Sequence, residues 1–440
     1  MKNLIGLLFT NMLVVNLVFA IIYVFVFRLV YVQYLYPTWG YMGYEFYSHS
    51  TMIAFITNAL AIIPILFYKA RKIPSDFIAI FVYIFIVVPS ILSMEFGFEN
   101  YSGVVSVQVV YSLSMIVFFH IKEPRGIIHR KKENFIKFKA YTIAVVVILI
   151  CCIATYRLNM RFVSVEEVYD LREETADLQV NPIIGYFMMW LANFFSPLFV
   201  SYGLVNKNKN FLILGFTCAL VVYMSSALKS AFITPILCIF IYLVIKKLQD
   251  NIMSLFPIIV VFFTVLYFVG MAIDNNLAYL ALSLFIMRTF GISAMLTPGY
   301  ISVFSSYPHT YFSHVRIVNS ITGMYPFQEP VLGKAVWSAY TGETDAMNAN
   351  ANMLLTDGIA SCGILGVIIV TIFFALILNY LNKVSMRHDK NFVLILLTGI
   401  IMSLSNVSLF TALLSCGLLL IMILLRFTSV NGIVRPTESV

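Results

Sequence analysis

Charge is the property that this chain has least of. Charged residues make up 11% of its 440 residues, whereas hydrophobic residues make up 61%. A soluble domain carries about 25% charged residues. Apolar runs long enough to cross the roughly 30 Å hydrocarbon layer of a bilayer recur along the whole chain. The scarcity of charge therefore excludes a soluble protein and predicts a single, all-α, polytopic membrane domain over residues 1–440.

Cysteine and phosphate-binding loops are scarce as well. The six cysteines all lie in apolar runs, and none has the spacing to histidine that a zinc site requires. The sequence contains no glycine-rich phosphate loop and no carboxylate pair spaced like a Mg²⁺ site. These absences argue against a disulfide framework and against an enzyme driven by a nucleotide. We therefore predict that the protein needs no metal and no cofactor.

The net charge of +8 does not indicate nucleic acid, because the basic residues lie in segments between apolar runs. They concentrate in alternate segments, above all in the loop 122–140, and the positive-inside rule places these segments and both termini in the cytoplasm. The opposite face then carries two large loops, 156–185 and 274–357. About 12 transmembrane helices result, approximately at 4–28, 51–67, 76–94, 104–121, 141–155, 186–205, 211–226, 231–246, 253–273, 358–380, 392–407 and 409–426.

Aromatic residues are dense in the first outer loop, between Tyr31 and Tyr47. Rings at a bilayer boundary are typical of interface anchors. Stacking on the faces of sugar rings is the alternative, and the sequence leaves both interpretations open.

The segment 274–357 is the candidate active-site segment, because long loops in compact proteins are usually functional. It opens with the apolar stretch Leu277 to Met287, which we expect to be too short to span a membrane and to end at Arg288. Arg288 would then lie near the lipid headgroups, where a guanidinium matches the geometry of phosphate oxygens.

Further candidate residues follow in both large loops. In the second loop His309 or His314 is suited to remove a proton, Arg316 to bind phosphate and Tyr311 to contact a sugar. In the first loop, Arg157 and Arg161 come directly after an apolar run. They would either bind a pyrophosphate or extend to ordinary phospholipid.

The order of spans and large loops resembles the Wzy-type O-antigen polymerases and, more distantly, the O-antigen ligases. Those polymerases carry an arginine, ten residues and then a glycine in their large loops, and Arg288 and Gly299 have this spacing. The first loop departs from the pattern, because Ile183 occupies the corresponding position after Arg172. The resemblance implies a GT-C-like membrane fold with two large periplasmic loops in a bacterial inner (plasma) membrane.

The resemblance also implies a reaction. The protein would polymerise undecaprenyl-pyrophosphate-linked oligosaccharide repeat units at the periplasmic face into O-antigen or capsular polysaccharide. Arg288 and Arg316 would stabilise the departing pyrophosphate, with Arg157, Arg161 and Arg172 as further ligands. Membrane lipid, a Wzz-like chain-length regulator and a flippase are the implied partners. The alternatives are an O-antigen ligase, which shares the chemistry, and a flippase for lipid-linked oligosaccharides.

Overall fold

The computed structural model describes residues 12–124, 135–162, 171, 174–175, 181–247, 255–343 and 347–428. Within these ranges the chain is built from helices and their connections, and no strand occurs there. The predicted all-α fold is therefore confirmed for the described part of the chain.

The helices follow one another with short connections. The first eight are α1 (Met12–Met42), α2 (Thr51–Phe67), α3 (Pro74–Phe96), α4 (Val105–Phe119), α5 (Phe135–Tyr156), α6 (Pro182–Val205), α7 (Lys209–Ser226) and α8 (Lys229–Lys247). The others are α9 (Leu255–Met271), α10 (Asn276–Ser306), α11 (Arg316–Thr322), α12 (Leu332–Thr341), α13 (Leu354–Ser385), α14 (Lys390–Leu404), α15 (Leu409–Leu414) and α16 (Leu418–Phe427).

Among the described residues, 7 helices are long and apolar enough to cross a membrane, namely α1, α3, α6, α7, α8, α10 and α13. Shorter apolar helices lie at other predicted spans, namely α2, α4, α5, α9, α14 and α16. The membrane character is thus supported by length and composition. The number of twelve crossings and the GT-C-like arrangement stay predictions.

One expectation about the second large loop is corrected. The apolar stretch that begins at Leu277 does not end at Arg288, because α10 continues through a π-helical turn, Met287–Gly291, to Ser306. In this turn the Arg288 side chain is exposed, whereas Met287 and Phe290 are buried. The buried face of the helix stays apolar, so the charge does not terminate it. The predicted loop 274–357 therefore begins with a helix as long as a membrane span.

Helix α3 lies at the centre of the packing, and all of its residues except Phe85 are buried. Ion pairs hold both of its ends. Arg71 binds Asp76 at 2.6 Å, and both terminal nitrogens of Arg28 bind the Glu95 carboxylate at 2.7 Å. Charges of this kind in a membrane helix need such partners, because an unpaired buried charge is strongly unfavourable.

The second half of α10 packs closely against α3. The Thr297 and Ser90 hydroxyl oxygens lie 2.9 Å apart. Gly97, just after α3, allows the Pro298 ring to approach, since an added Cβ would meet Pro298 Cγ at 2.6 Å. This contact fixes the helix that leads into the candidate site.

Candidate functional site

Helix α13 is broken near its beginning. Cys362 and Gly363 leave the helical conformation, and Gly363 has φ +61°, which glycine adopts without strain. Backbone groups freed in a membrane helix must find other partners. The carbonyls of Ala360 and Ser361 accept the N–H groups of Thr310 and Tyr311 at 2.8 and 3.0 Å. The loop after α10 is therefore bound to α13 through the carbonyl groups that the break leaves free.

A buried histidine and carboxylate join this loop to α13. Asp357 lies in the π-helical turn Leu354–Ile359 and is fully buried, and its Oδ1 is 3.1 Å from Nε2 of His314. Its Oδ2 accepts the backbone N–H of Leu409 at the beginning of α15. Asp357 thus holds three segments of the chain together.

Both ring nitrogens of His314 are occupied. Because an ionised carboxylate only accepts hydrogen bonds, Nε2 of His314 donates to Asp357. Nδ1 is 3.2 Å from the hydroxyl of Thr310, which is itself fully buried. His314 therefore has no nitrogen open to a substrate, and its role in this geometry is to position the loop.

His309 has the opposite surroundings. Its Nδ1 is shielded from solvent and has no hydrogen-bond partner among the described residues, and the same holds for Oγ of Ser361 at the helix break. The ring stacks on Phe304 with centroids 5.9 Å apart, and Nε2 would lie 3.4 Å from a Cβ at Gly363. An unpaired buried polar atom costs about 1–3 kcal/mol, so its presence calls for an explanation such as a bound ligand. His309 is therefore the histidine suited to accept a proton.

Tyr311 lies beside this histidine. Tyr311 and Phe312 have φ of +47° and +64°, a conformation that non-glycine residues adopt only when their surroundings impose it. The Tyr311 ring is 53% exposed, with its centroid 6.5 Å from that of His309. It is therefore free to contact a substrate at the break.

Arg288 lies away from the histidines. It is exposed and has no hydrogen bond or ion pair with a described residue. Burial raises the pKa of Tyr44 well above its usual value, and the nearby Arg288 guanidinium partly offsets this effect. The Tyr44 hydroxyl donates to the Gly291 carbonyl at 2.9 Å. From Gly291 to Phe304, the residue that stacks on His309, α10 extends about 20 Å.

Gly299, the glycine of the motif, has a packing role. A Cβ at Gly299 would meet the Trp337 ring of α12 at 2.9 Å. The glycine therefore lets α12 lie close against α10. The two residues of the motif thus lie on the same helix in different surroundings. Arg288 is exposed, whereas Gly299 lies at the contact with α12.

The other predicted arginines are scattered. Arg316 begins α11, two residues after His314, and is exposed with no ion pair to a described residue. Arg157 is exposed just after α5. Arg161 binds Glu174 at 2.9 Å in an exposed ion pair, and its backbone N–H donates to Met224. Arg172 lies outside the described residues. The structure thus brings together His309, Tyr311 and His314, but not the arginines.

Asp357 was missed as a site residue in the sequence. The sequence does contain an indication of its role. Asp357 is an acidic residue at the beginning of a long apolar run, and acidic residues in membrane segments are usually paired and functional. Its partner could not be inferred, because His314 is 43 residues away in the chain.

The arrangement offers a half-buried histidine with an unpaired ring nitrogen, a histidine–carboxylate pair and an exposed ring at a helix break. Within the described residues, no group of three His, Cys, Asp or Glu side chains that could hold a metal ion occurs. His309 is suited to proton transfer, and the exposed arginines are suited to anion binding. Comparison of the chain with protein-family models, with curated proteins and with solved structures finds no match.

Proposed function

We propose that this protein is a membrane glycosyltransferase that polymerises oligosaccharide repeat units linked to undecaprenyl pyrophosphate. The observation that carries the proposal is the break in α13, where His309 presents an unpaired ring nitrogen beside a loop held by Asp357. A neutral imidazole is suited to take a proton from a sugar hydroxyl.

The reaction is a displacement at an anomeric carbon. An acceptor hydroxyl forms the new C–O bond, and its proton passes to the imidazole of His309. The bond from the anomeric carbon to the lipid pyrophosphate breaks, and the pyrophosphate leaves with the electron pair. Arg316 is the exposed arginine nearest to the histidines in the chain and would stabilise this leaving group. No step requires an oxidant, a nucleotide or a metal.

Deletion of the protein from its host tests the proposal, with the surface polysaccharide separated on a gel. Loss of a polymerase leaves single repeat units on the surface. Loss of an O-antigen ligase leaves none there, with polymer stranded on the carrier lipid. Polysaccharide of unchanged length and amount would contradict both activities.

A flippase for lipid-linked oligosaccharides is the second candidate. The observation that favours it is the buried pair formed by Asp357 of the discontinuous helix α13 and His314 of the adjoining loop, because transporters place substrate and proton sites at such breaks. Purified protein in vesicles separates the two. A flippase moves a lipid-linked repeat unit across the bilayer at constant length, whereas the polymerase lengthens the glycan without moving it.

A further inference from the structure

An open cleft of about 730 Å³ lies at the outer end of α1 and in the turn that follows it. Aromatic rings line it, together with the carboxylate of Glu45; among the rings are those of Tyr36, Tyr41, Phe46 and Tyr47. Clefts that bind small organic ligands have volumes of about 300–1,000 Å³ and combine aromatic walls with a few polar groups. The cleft therefore has the size and the lining of a ligand site.

The walls of the cleft are held in place from several sides. The Tyr31 hydroxyl donates to the Glu45 carbonyl at 2.7 Å, and the Tyr47 N–H donates to the Phe96 carbonyl at 2.8 Å. Gly43 has φ +99° and lies against Trp337, whose ring a Cβ would meet at 2.8 Å. A site fixed in this way loses little conformational freedom when a ligand binds.

Interface anchoring alone does not account for this lining. The Glu45 carboxylate accepts the Tyr340 hydroxyl at 2.7 Å, so it is held among the rings rather than extended into water. A carboxylate facing hydrocarbon is unfavourable, whereas carboxylates and phenol groups together match the hydroxyls of a sugar. The exposed ring of Tyr41, 79% accessible, offers a flat surface to the apolar face of a sugar.

Arg288 lies on the helix turn that contacts the cleft wall. Tyr44 belongs to this wall, and its hydroxyl donates to the carbonyl of Gly291, three residues after Arg288 in the same π-helical turn. An exposed, unpaired guanidinium is suited to bind phosphate oxygens in a bidentate manner. Sugar-binding rings and a phosphate-binding arginine thus lie side by side.

We infer that this cleft is the binding site for the acceptor, the single repeat unit on its own lipid pyrophosphate. The inference depends on the proposed function. In the acceptor, the reacting hydroxyl is separated from the pyrophosphate by the length of the oligosaccharide. From Arg288 to Phe304, whose ring stacks on His309, α10 extends about 24 Å, a length on the scale of an oligosaccharide. Arg288 therefore binds the acceptor pyrophosphate, the aromatic cleft binds its sugars, and the far sugar reaches His309.

Tryptophan fluorescence tests the cleft directly. The chain has three tryptophans. Trp39 lies beside Tyr41, with ring centroids 6.1 Å apart, and Trp337 lies against Gly43. In a Trp190→Phe background, the two remaining tryptophans report on the cleft. Purified protein in detergent is titrated with the oligosaccharide of the host's surface polysaccharide, released from its lipid. We expect a saturable change in emission.

Substitutions then locate the binding. Tyr41→Ala removes the exposed ring and is expected to weaken binding about tenfold. Tyr41→Phe keeps the ring and is expected to bind within about twofold of the parent. Tyr186→Ala, an exposed tyrosine on α6 that does not line the cleft, is the matched control and leaves the affinity unchanged.

The absence of any response to the oligosaccharide, or equal affinity of Tyr41→Ala and its parent, would overturn the inference. A response to phospholipid micelles but not to the oligosaccharide would identify the rings as interface anchors and overturn it as well. Unchanged polysaccharide in the deletion strain counts instead against the proposed function. Shortened polysaccharide in that strain, together with no binding to the cleft, counts against the cleft alone.

Discussion

His309 and His314 are five residues apart, yet their surroundings assign them different roles. His314 uses both ring nitrogens, one on Asp357 and one on Thr310, whereas His309 keeps Nδ1 without a partner among the described residues. A proton acceptor needs a free lone pair, and a positioning residue needs fixed contacts. The sequence does not distinguish the two histidines, whereas the hydrogen bonds of their ring nitrogens do.

We expect His309→Ala to lower polymer formation at least about hundredfold, because it removes the general base. Its thermal stability in detergent is expected to stay near that of the parent. His314→Ala is expected to lose about 3 kcal/mol of stability, because Asp357 is left as a buried charge without its partner. The measurements are the length of the surface polysaccharide and thermal unfolding of the purified variants.

His120→Ala, an exposed histidine at the end of α4, is the matched control and changes neither property. If His314→Ala lost polymer at full stability while His309→Ala kept it, the two roles would be reversed.

Arg288 is expected to act through its forked donors, because no described residue pairs with it. Both Arg288→Ala and Arg288→Lys should abolish polymer, since an ammonium group cannot bind two phosphate oxygens in the same plane. Both variants should insert and unfold like the parent protein. Arg387→Ala, an exposed arginine after α13, is the control and keeps full chain length. Normal chain length in Arg288→Ala would remove Arg288 from the mechanism.

At the scale of elements, the break in α13 is what creates the site. Without it, the carbonyls of Ala360 and Ser361 would bond within their own helix, and the loop after α10 would have no edge to dock on. The break also places Gly363 against the ring of His309. The position of His309, the proposed base, therefore depends on the positive φ of Gly363.

Gly363→Ala tests this dependence, and Gly323→Ala is its matched control. The two glycines share a φ near +60°, but ψ is −136° at Gly363 and +18° at Gly323, so alanine should cost about 1 kcal/mol in thermal unfolding at Gly323 and more at Gly363. A Cβ at Gly363 would touch Nε2 of His309 at 3.4 Å, an ordinary van der Waals contact, so the strained backbone rather than a clash would shift the break; nothing lies within 4 Å of a Cβ at Gly323. We therefore expect only Gly363→Ala to lose polymer. Equal activity of the two variants would show that polymer formation does not depend on the break in α13.

At the scale of the whole molecule, orientation in the membrane decides which reaction the site can perform. Lipid-linked repeat units are polymerised on the side away from the cytoplasm, so the cleft around Tyr41 must face that side. The distribution of basic residues predicts this orientation, with the connection around Lys69 in the cytoplasm.

Cysteine labelling in spheroplasts measures the orientation. Tyr41→Cys is expected to react with a membrane-impermeant maleimide in intact spheroplasts, because Tyr41 is exposed at the cleft. Lys69→Cys, also exposed, should react only after permeabilisation. The parent protein, whose six cysteines lie in apolar helices or directly beside them, supplies the background. The reverse pattern would place the cleft inside the cell and exclude the proposed reaction.

The sequence by itself determined where most of the helices lie. Helix α2 has the predicted bounds, Thr51–Phe67, and the predicted spans 392–407 and 409–426 are separated by the connection between Leu404 and Leu409. This success has a simple cause. An apolar run in a bilayer must satisfy its backbone groups internally, so its length and its polar interruptions specify a helix and its ends.

Only the tertiary structure decided the site. The pairing of His314 with Asp357, the break at Gly363 and the passage of α10 through Arg288 all depend on neighbours distant in the chain. A glycine can adopt a positive φ but is not required to do so. An arginine can lie within a helix when its side chain is on an exposed face. Such choices are made by packing between helices, and composition and spacing do not encode that packing locally.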